Sequence, residues 1–445
     1  MMRNVAAIAG STFLLMAAEA VSQTSSAEAA VQIEVEWSVA AGGEGLGFGR
    51  SIAAASSNGM VVAGTTTSFR AGFEDAYLIR LDGEGEVIWE RTIGTAAQDY
   101  AEAVQPTTDG GFIVAGYTGI QPVSFDAMLA RTDEDGQVIW QRTHGGTGTD
   151  MIHDVQQTDD GGFILVGETS SFGSGGFDIY LIKTDDQGNM EWQRTFDVDD
   201  DNGTSIDTIP EQGFVIAGYA GDGSIFPEFD ALLLRTDLTG DLIWQRTFDA
   251  GVDDRGHTVR RIGDEGFVMA GLSQSRMALW KTNTAGNPVW ERVYGGDNTG
   301  EAMDVRQTAD GGYLLGGISY RGGDGAYEMF VVKTDDLGLA EWEQTVGGPM
   351  WEWCTAVYEN APGRYTLAGT TNSFGAGGYD LYAVGITATT MGDVNADGHV
   401  DIDDVFAVLS AWGPCDDPPA DCPEDLDANG VVDIDDLFLV LSHWS

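Results

Sequence analysis

Two twelve-residue stretches near the end of the chain place oxygen-bearing side chains at matching positions. The first begins at Asp393 and the second at Asp425, and each has Asp or Asn at positions 1, 3, 5, 9 and 12 with Gly at position 6. Calcium binds about six to eight oxygen ligands, and a loop with this spacing supplies them, with the backbone carbonyl of position 7 included. The glycine permits the sharp turn. The sequence therefore predicts two calcium sites.

Each loop leads into a segment whose apolar residues have helical spacing. These residues are Val405, Phe406, Val408, Leu409 and Trp412 after the first loop, and Leu437, Phe438, Val440, Leu441 and Trp444 after the second. No helix is predicted before either loop, so the unit is half of an ordinary EF-hand used twice. A duplicated loop–helix unit of this kind resembles a type I dockerin over residues 391–445.

The resemblance implies a small module that binds two Ca²⁺ ions and docks to a cohesin domain. It implies ligands at Asp393, Asn395, Asp397, the carbonyl of His399, Asp401 and Asp404, and at Asp425, Asp427, Asn429, the carbonyl of Val431, Asp433 and Asp436. The chain departs from the family at positions 10 and 11, which are Ile-Asp rather than Ser/Thr in both loops.

The composition of residues 391–445 indicates that metal binding and folding are coupled. The segment has fourteen Asp and Glu and no Lys or Arg, so without a cation its self-repulsion opposes folding. The alternative is a solvated acidic tail.

Cys415 and Cys422 flank a proline-rich connector between the loops and can close a small disulfide ring in an oxidising compartment. Cys354, the third cysteine, is better explained as a buried small residue than as a nucleophile.

The formal net charge of −50 excludes nucleic acid as a natural partner, because phosphates would be repelled.

Residues 1–29 have the features of a signal peptide, namely Arg3, an apolar run from Val5 to Ala18, and small-residue cleavage sites ending at Ala20 or Ala29. The run is too short to span a bilayer. We expect a secreted, extracellular or cell-surface protein without membrane insertion.

Between these ends the chain repeats itself about every 51 residues. Tryptophan marks each unit at Trp37, Trp89, Trp140, Trp192, Trp244, Trp290 and Trp342, and glycine closes an apolar strand at Gly64, Gly116, Gly167, Gly218, Gly271, Gly317 and Gly369. Each unit contains four β-type runs separated by turn residues, which is typical of a β-propeller blade. The units resemble exported bacterial propeller repeats with D-G-G-F-x-x-A-G and W-x-R-T.

The sequence thus predicts a mainly β fold, with a seven-bladed β-propeller over residues 31–386 and a small α-helical two-calcium domain over residues 391–445. The tryptophan marks begin before the first glycine-closed strand, so we expect Glu34–Val39 to form the outer strand of the seventh blade. This closure would hide an otherwise open sheet edge. Thr387–Thr390 is the predicted joint between the domains.

Two features of the propeller have alternative interpretations. The seven tryptophans form either an aromatic carbohydrate platform or, as one residue per blade on one strand favours, the core between blades. A polar residue follows most of them by ten positions, at Asp99, Asp150, Asn202, Asp254 and Glu352. These residues form either an acidic ring at the channel mouth, suited to calcium or a polyhydroxylated ligand, or caps at strand starts.

The leading functional hypothesis is binding and assembly. The propeller presents an interaction surface, and the calcium module attaches it to a cohesin-like or cell-surface protein, with polysaccharide as a second partner class. The first alternative is a polysaccharide-degrading enzyme, an O-glycosyl hydrolase or lyase, whose catalytic residues the sequence does not single out. The second alternative is a purely structural surface protein.

Overall fold

The repeated units fold as four-stranded antiparallel sheets. The computed structural model describes residues 31–442 except 57–58, 70–72, 121–123, 197–200, 222–227, 252, 297, 321–326, 377, 391, 396–399, 416–421 and 427–428. Seven four-stranded sheets follow one another along the chain, and each sheet packs against the next. The predicted seven-bladed propeller is confirmed.

The strands of the propeller are short and evenly spaced along the chain. In order they are β1 (Val31–Ala41), β2 (Gly47–Ala55), β3 (Gly59–Thr66), β4 (Asp75–Leu81), β5 (Val87–Ile93), β6 (Gln98–Pro106), β7 (Phe112–Ile120), β8 (Ser124–Thr132), β9 (Val138–His144), β10 (Asp150–Gln157), β11 (Phe163–Thr169), β12 (Asp178–Thr184), β13 (Met190–Phe196), β14 (Asp201–Ile209), β15 (Gly213–Gly221), β16 (Phe229–Thr236), β17 (Leu242–Phe248), β18 (Arg255–Ile262), β19 (Gly266–Ser273), β20 (Arg276–Thr282), β21 (Pro288–Tyr294), β22 (Thr299–Gln307), β23 (Tyr313–Tyr320), β24 (Tyr327–Thr334), β25 (Ala340–Val346), β26 (Glu352–Ala361), β27 (Arg364–Thr371) and β28 (Asp380–Thr390).

The position of a strand within its blade decides its hydrophobic pattern. All residues of β3 and β4, the second and third strands of the first blade, are buried, because neighbouring blades cover both faces. The outermost strand β5 alternates between exposed and partly buried residues, because only one face is covered. Continuous apolar runs therefore mark the middle strands and alternation marks the outer strand.

The first strand of the chain closes the ring. β1 pairs antiparallel with β28, so the seventh blade contains β26, β27, β28 and β1, and the predicted N-terminal closure is confirmed. The pairing extends from Leu381 to Thr390. Thr387–Thr390, predicted as the joint between domains, is therefore part of the last strand. Threonine suits a strand paired in this way, and this explains why a polar Thr/Ala run was mistaken for a linker.

The tryptophans lie between blades. Five of them pack against an aromatic ring of the following blade at centroid distances of 5.8–6.3 Å. An arginine two residues later lies over the tryptophan ring at 5.3–5.4 Å in five blades. This cation–π contact covers the outer side of each ring. The tryptophans therefore belong to the interblade core and do not form a carbohydrate platform.

Two helices and a short ribbon follow the propeller. The elements are α1 (Ile402–Ser410), β29 (Gly413–Pro414), β30 (Val431–Val432) and α2 (Ile434–Ser442). The helices contact each other, and Val400, Val408, Val432 and Val440 form a fully buried cluster. Within the described ranges, no helix combines the length and the hydropathy that a membrane span requires.

Candidate functional site

The last carboxylate of each predicted calcium loop is fully buried. Asp404 accepts hydrogen bonds from the backbone nitrogens of Val394 (2.7 Å) and Asp401 (2.8 Å). In the second loop, Asp436 accepts from the nitrogens of Leu426 (2.7 Å) and Asp433 (2.8 Å). The two loops therefore have equivalent internal hydrogen bonds. In each loop, backbone nitrogens at positions 2 and 9 donate to the carboxylate at position 12.

The carboxylate at position 9 begins the following helix. Asp401 accepts a hydrogen bond from the nitrogen of Asp403 at 2.8 Å and forms a capping box with Asp404. Asp433 accepts from the nitrogen of Asp435 at 2.9 Å. Acidic residues at a helix N-terminus are favourable because the helix dipole is positive there. Loop and helix are thus one structural unit in both copies.

The described ligand residues fit a divalent cation. Asp404 and Asp436 are 0% exposed, and their described hydrogen bonds come from neutral backbone groups. A buried carboxylate without a compensating cation is unfavourable, and the 391–445 segment has no Lys or Arg to supply one. Calcium would supply that charge. Asp397, His399 and Asp427, also predicted as ligands, lie outside the described residues.

A disulfide packs against position 1 of the second loop. Cys415 and Cys422 are bonded to each other, and Cys415 Sγ lies 3.6 Å from Asp425 Oδ2. Ligand atoms of these three residues lie within 4.8 Å of one another, but bonded sulfurs are not thiolates and do not suit a metal. The Asp425 carboxylate is held by the backbone nitrogens of Asn429 (3.1 Å) and Gly430 (2.7 Å), and the disulfide packs beside it. Cys354 is 0% exposed, and burial raises the pKa of its thiol, which disfavours the reactive thiolate.

The helices are apolar on two sides, not one. Val408 and Val440 are buried, as the predicted single apolar face requires. Phe406 and Phe438, however, are each 59% exposed. Residues 401–410 and 433–442 have the same sequence of exposed, half-buried and buried positions throughout. The unpredicted exposed apolar residues are therefore duplicated together with the loops.

The predicted acidic ring consists of buried caps between blades. Asp99, Asp150, Asp254 and Glu352 are at most 1% exposed. Each accepts a hydrogen bond from the backbone nitrogen four residues earlier, at 2.7–3.1 Å. The fifth member is Asp201, not Asn202, because the connection before the fourth blade is one residue shorter. None of these residues lines the axial cavity.

The axial channel is lined by residues that the sequence pattern alone does not single out. The innermost strand of every blade has a register shift at one extra residue, and all seven of these residues line one cavity of about 90 Å³. They are Arg50, Glu102, His153, Thr204, His257, Met303 and Thr355. Such β-bulges redirect side chains and are frequent beside functional sites.

Comparisons with known proteins support the fold alone. No protein-family model and no curated protein matches the chain. It is similar to Raptor from Chaetomium thermophilum, with a TM-score of 0.52 and 8% identity, over 80% of this chain but only 29% of that one. A protein of unknown function from Dyadobacter fermentans DSM 18053 matches with a TM-score of 0.46 and 11% identity, over 80% of this chain and 99% of that one. Sqt1 from Chaetomium thermophilum matches with a TM-score of 0.46 and 12% identity, over 76% of this chain and 83% of that one.

The glycine repeated in every unit marks where each inner strand bulges, and so indicates the channel residues. A β-carbon at any of the seven glycines would collide with a carbonyl oxygen of the bulged inner strand, for example Phe48 at Gly64 and Trp353 at Gly369. The glycine is therefore required by the bulge. The bulged residue follows a small or apolar residue and varies from blade to blade. A variable position inside an otherwise repeated strand indicates a candidate site.

The buried Glu168, on β11, should make the stability of the propeller depend on pH. Burial raises its pKa from 4.5 to about 7, although Asn202 donates a hydrogen bond that opposes the shift. Because the folded state favours the protonated form, the stability should fall as pH rises from about 4.5 to 7 and level off above, by up to about 3 kcal/mol. Glu168→Gln should remove this loss. We expect a higher unfolding midpoint than wild type at pH 8 and the same midpoint at pH 4, measured by thermal denaturation.

The matched control for Glu168 is Glu86→Gln, which removes an exposed carboxylate. Its midpoint should follow the wild-type curve at both pH values. If Glu168→Gln and Glu86→Gln behave alike at pH 8, ionisation of Glu168 does not oppose folding.

Proposed function

We propose that this chain is an exported interaction protein, secreted or held at the cell surface, in which a seven-bladed propeller is joined to a calcium-dependent docking unit. One observation carries the proposal. Helix residues 401–410 and 433–442 repeat the same exposure pattern, with a buried carboxylate and an exposed apolar stripe at equivalent positions. A duplication that serves only to bury a core has no need to preserve exposed apolar residues.

The docking surface that we propose consists of these stripes. Ile402, Phe406 and Leu409 are 47–59% exposed on α1. Their counterparts on α2 are Ile434, Phe438 and Leu441, with the same range of exposure. The spacing i, i+4, i+7 places each set on one side of its helix, and exposed apolar patches of this kind mark interaction sites. The stripes include position 10, one of the partner-contacting positions that the dockerin resemblance implies.

The partner should combine an apolar groove with basic edges. Asp403 and Asp435 are exposed beside the stripes, and the chain has a net charge of −50. A partner rich in Lys or Arg at the groove rim would therefore be attracted, and an acidic partner repelled. A cohesin-like domain or another surface protein with such a groove is the partner class that we propose. Calcium acts by holding each loop in the form from which its helix begins.

The test is capture of a partner from the surface proteins of the source organism by the full chain, with calcium and with chelator. A single Phe406→Ser or Phe438→Ser change should preserve capture, because the other stripe remains. The double variant should weaken the affinity about thirtyfold or more, since whichever stripe binds has lost an aromatic anchor and such hot-spot anchors contribute about 2 kcal/mol or more. Affinity for the captured protein, once purified, is measured by calorimetry.

The matched control is Ile88→Ser with Ile139→Ser, which alters two exposed apolar residues on the propeller. It should bind as wild type does. Capture that survives both chelation and the double phenylalanine change would contradict the docking proposal. A calcium-stabilised chain that captures nothing would instead support the purely structural alternative.

A further inference from the structure

Two of the seven extra residues at the β-bulges, called bulge residues below, hold neighbouring blades together. Thr204 donates a hydrogen bond to the carbonyl oxygen of Gly256 at 2.8 Å, and Thr355 donates to that of Gly49 at 3.1 Å. Each threonine thereby links the inner strands of adjacent blades. The remaining five bulge residues are Arg50, Glu102, His153, His257 and Met303. Their chemistry differs from blade to blade, so it is not required by the repeated fold.

The deep acceptors of the channel are already engaged. Asp304 accepts from Arg260 Nη2 at 3.0 Å, from Arg306 Nε at 3.2 Å and from the backbone nitrogen of Val357 at 3.2 Å. Asp154 accepts from Ser205 Oγ at 2.9 Å and from two backbone nitrogens at 2.8–3.0 Å. Glu102 forms an ion pair with Arg50 at 3.5 Å. Little acceptor capacity therefore remains for a ligand.

The donors of the channel, in contrast, are in excess. Among the described residues, the terminal nitrogens of Arg306 and Arg50 have no hydrogen-bond partner, since Arg306 uses only Nε for Asp304 and Arg50 faces Glu102 through Nε. Arg260 Nε is buried without a partner, and so is His153 Nε2, a ring nitrogen that donates in the tautomer protonated there. Arg260 and Arg306 both pair with Asp304, and Arg260 Nη1 also lies 3.9 Å from Asp154 Oδ2. Free guanidinium donors in a channel whose carboxylates are already engaged favour a ligand that supplies acceptor oxygens.

We propose that the axial channel binds a small oxyanion, a carboxylate or phosphate group, between Arg50, His153 and Arg306. Guanidinium groups bind such oxyanions with paired hydrogen bonds, because their planar fork matches the two oxygens. The cavity of about 90 Å³ is smaller than a drug-sized pocket, so it admits an oxyanion of a few heavy atoms rather than a larger molecule. The site is separate from the C-terminal docking stripes and does not depend on calcium or on a docking partner.

The experiment uses NMR of the full chain, which has five histidines, labelled with ¹³C in the imidazole ring. Inorganic phosphate and succinate are titrated separately at constant ionic strength, with erythritol as a neutral probe. Either anion should shift the His153 resonance saturably. His144, which lies on the outer strand β9, should not move. Erythritol should shift neither resonance.

Two variants locate the bound anion. Arg306→Gln and Arg50→Gln should each weaken phosphate or succinate binding about tenfold or more, because each removes charge-assisted hydrogen bonds. Arg50 makes only one long ion pair, so its replacement tests the site even if Arg306→Gln lowers stability. The control, Arg246→Gln, removes an arginine that covers Trp244 on the outer strand and should leave binding unchanged.

Three outcomes overturn the proposal. The first is the lack of a saturable His153 shift with both anions. The second is a response to erythritol equal to the response to the anions. The third is weakening by Arg246→Gln equal to that by Arg50→Gln. Binding of phosphate without succinate, or of succinate without phosphate, supports the site and identifies which oxyanion it accepts.

Discussion

Removal of calcium should unfold residues 391–445 and leave the seven-bladed propeller folded. Among its described residues, the C-terminal unit fully buries four valines, with partly buried apolar residues around them. This core is too small to offset the repulsion among fourteen acidic residues. Calcium bound at a thousand times its Kd would stabilise each site by about 4 kcal/mol. The propeller has its own core in every blade and contains none of the predicted ligands. The two units should therefore respond differently to a chelator.

Calorimetric titration should give two calcium ions per chain, and hydrogen exchange should locate the change. With chelator, amides of α1 and α2 should lose protection while those of β3, β11 and β27 keep it. Asp404→Ala combined with Asp436→Ala should abolish calcium binding and leave α1 and α2 unprotected even with calcium. The matched control is Asp403→Ala combined with Asp435→Ala, because these neighbours are exposed and accept no described backbone hydrogen bond.

The control pair should bind two calcium ions as wild type does. Helix protection that is equal with and without chelator would contradict coupled folding and calcium binding. Loss of calcium binding in the control pair, with binding retained in the Asp404 and Asp436 pair, would contradict the ligand assignment.

The architecture of the propeller was predictable because its signals are repeated. One Trp and one Gly per unit have positions dictated by the fold, since the Trp fills the blade junction and the Gly admits the carbonyl of a bulged strand. Counting them gives the number of blades. Their phase indicates that β1 closes the ring, as its pairing with β28 shows.

The channel residues were not predictable by the same reasoning. A β-bulge shifts the register by one residue, so a strand's alternation no longer indicates which side chain faces the axis. Asn202 is not at the equivalent position for a related reason, because a connection shortened by one residue places Asp201 there. The exposed stripe of the helices was missed since periodicity shows which residues share a face but not whether a neighbour covers it.

Asp304→Ala should destabilise the propeller more than any surface substitution. Asp304 is 4% exposed and compensates two arginines, Arg260 and Arg306, at 3.0 and 3.2 Å. Its Oδ2 also accepts from the backbone nitrogen of Val357, so one side chain links the fifth, sixth and seventh blades. Loss of one partner from a buried ion pair commonly costs about 3–5 kcal/mol, because the remaining charge stays buried without compensation. Denaturant unfolding of the full chain in calcium, followed by tryptophan fluorescence, should show a markedly lower midpoint.

The matched control is Asp264→Ala, which breaks an exposed pair with Arg261 at 3.1 Å. Exposed pairs contribute about 0–1 kcal/mol, so this midpoint should stay close to wild type. Asp304→Asn separates charge from shape, because it retains the volume and one acceptor but leaves Arg306 without a paired carboxylate and Arg260 with only Asp154, at 3.9 Å. It should therefore lose most of the stability that Asp304→Ala loses. Equal midpoints for Asp304→Ala and Asp264→Ala would mean that solvent in the channel, rather than Asp304, compensates the two arginines.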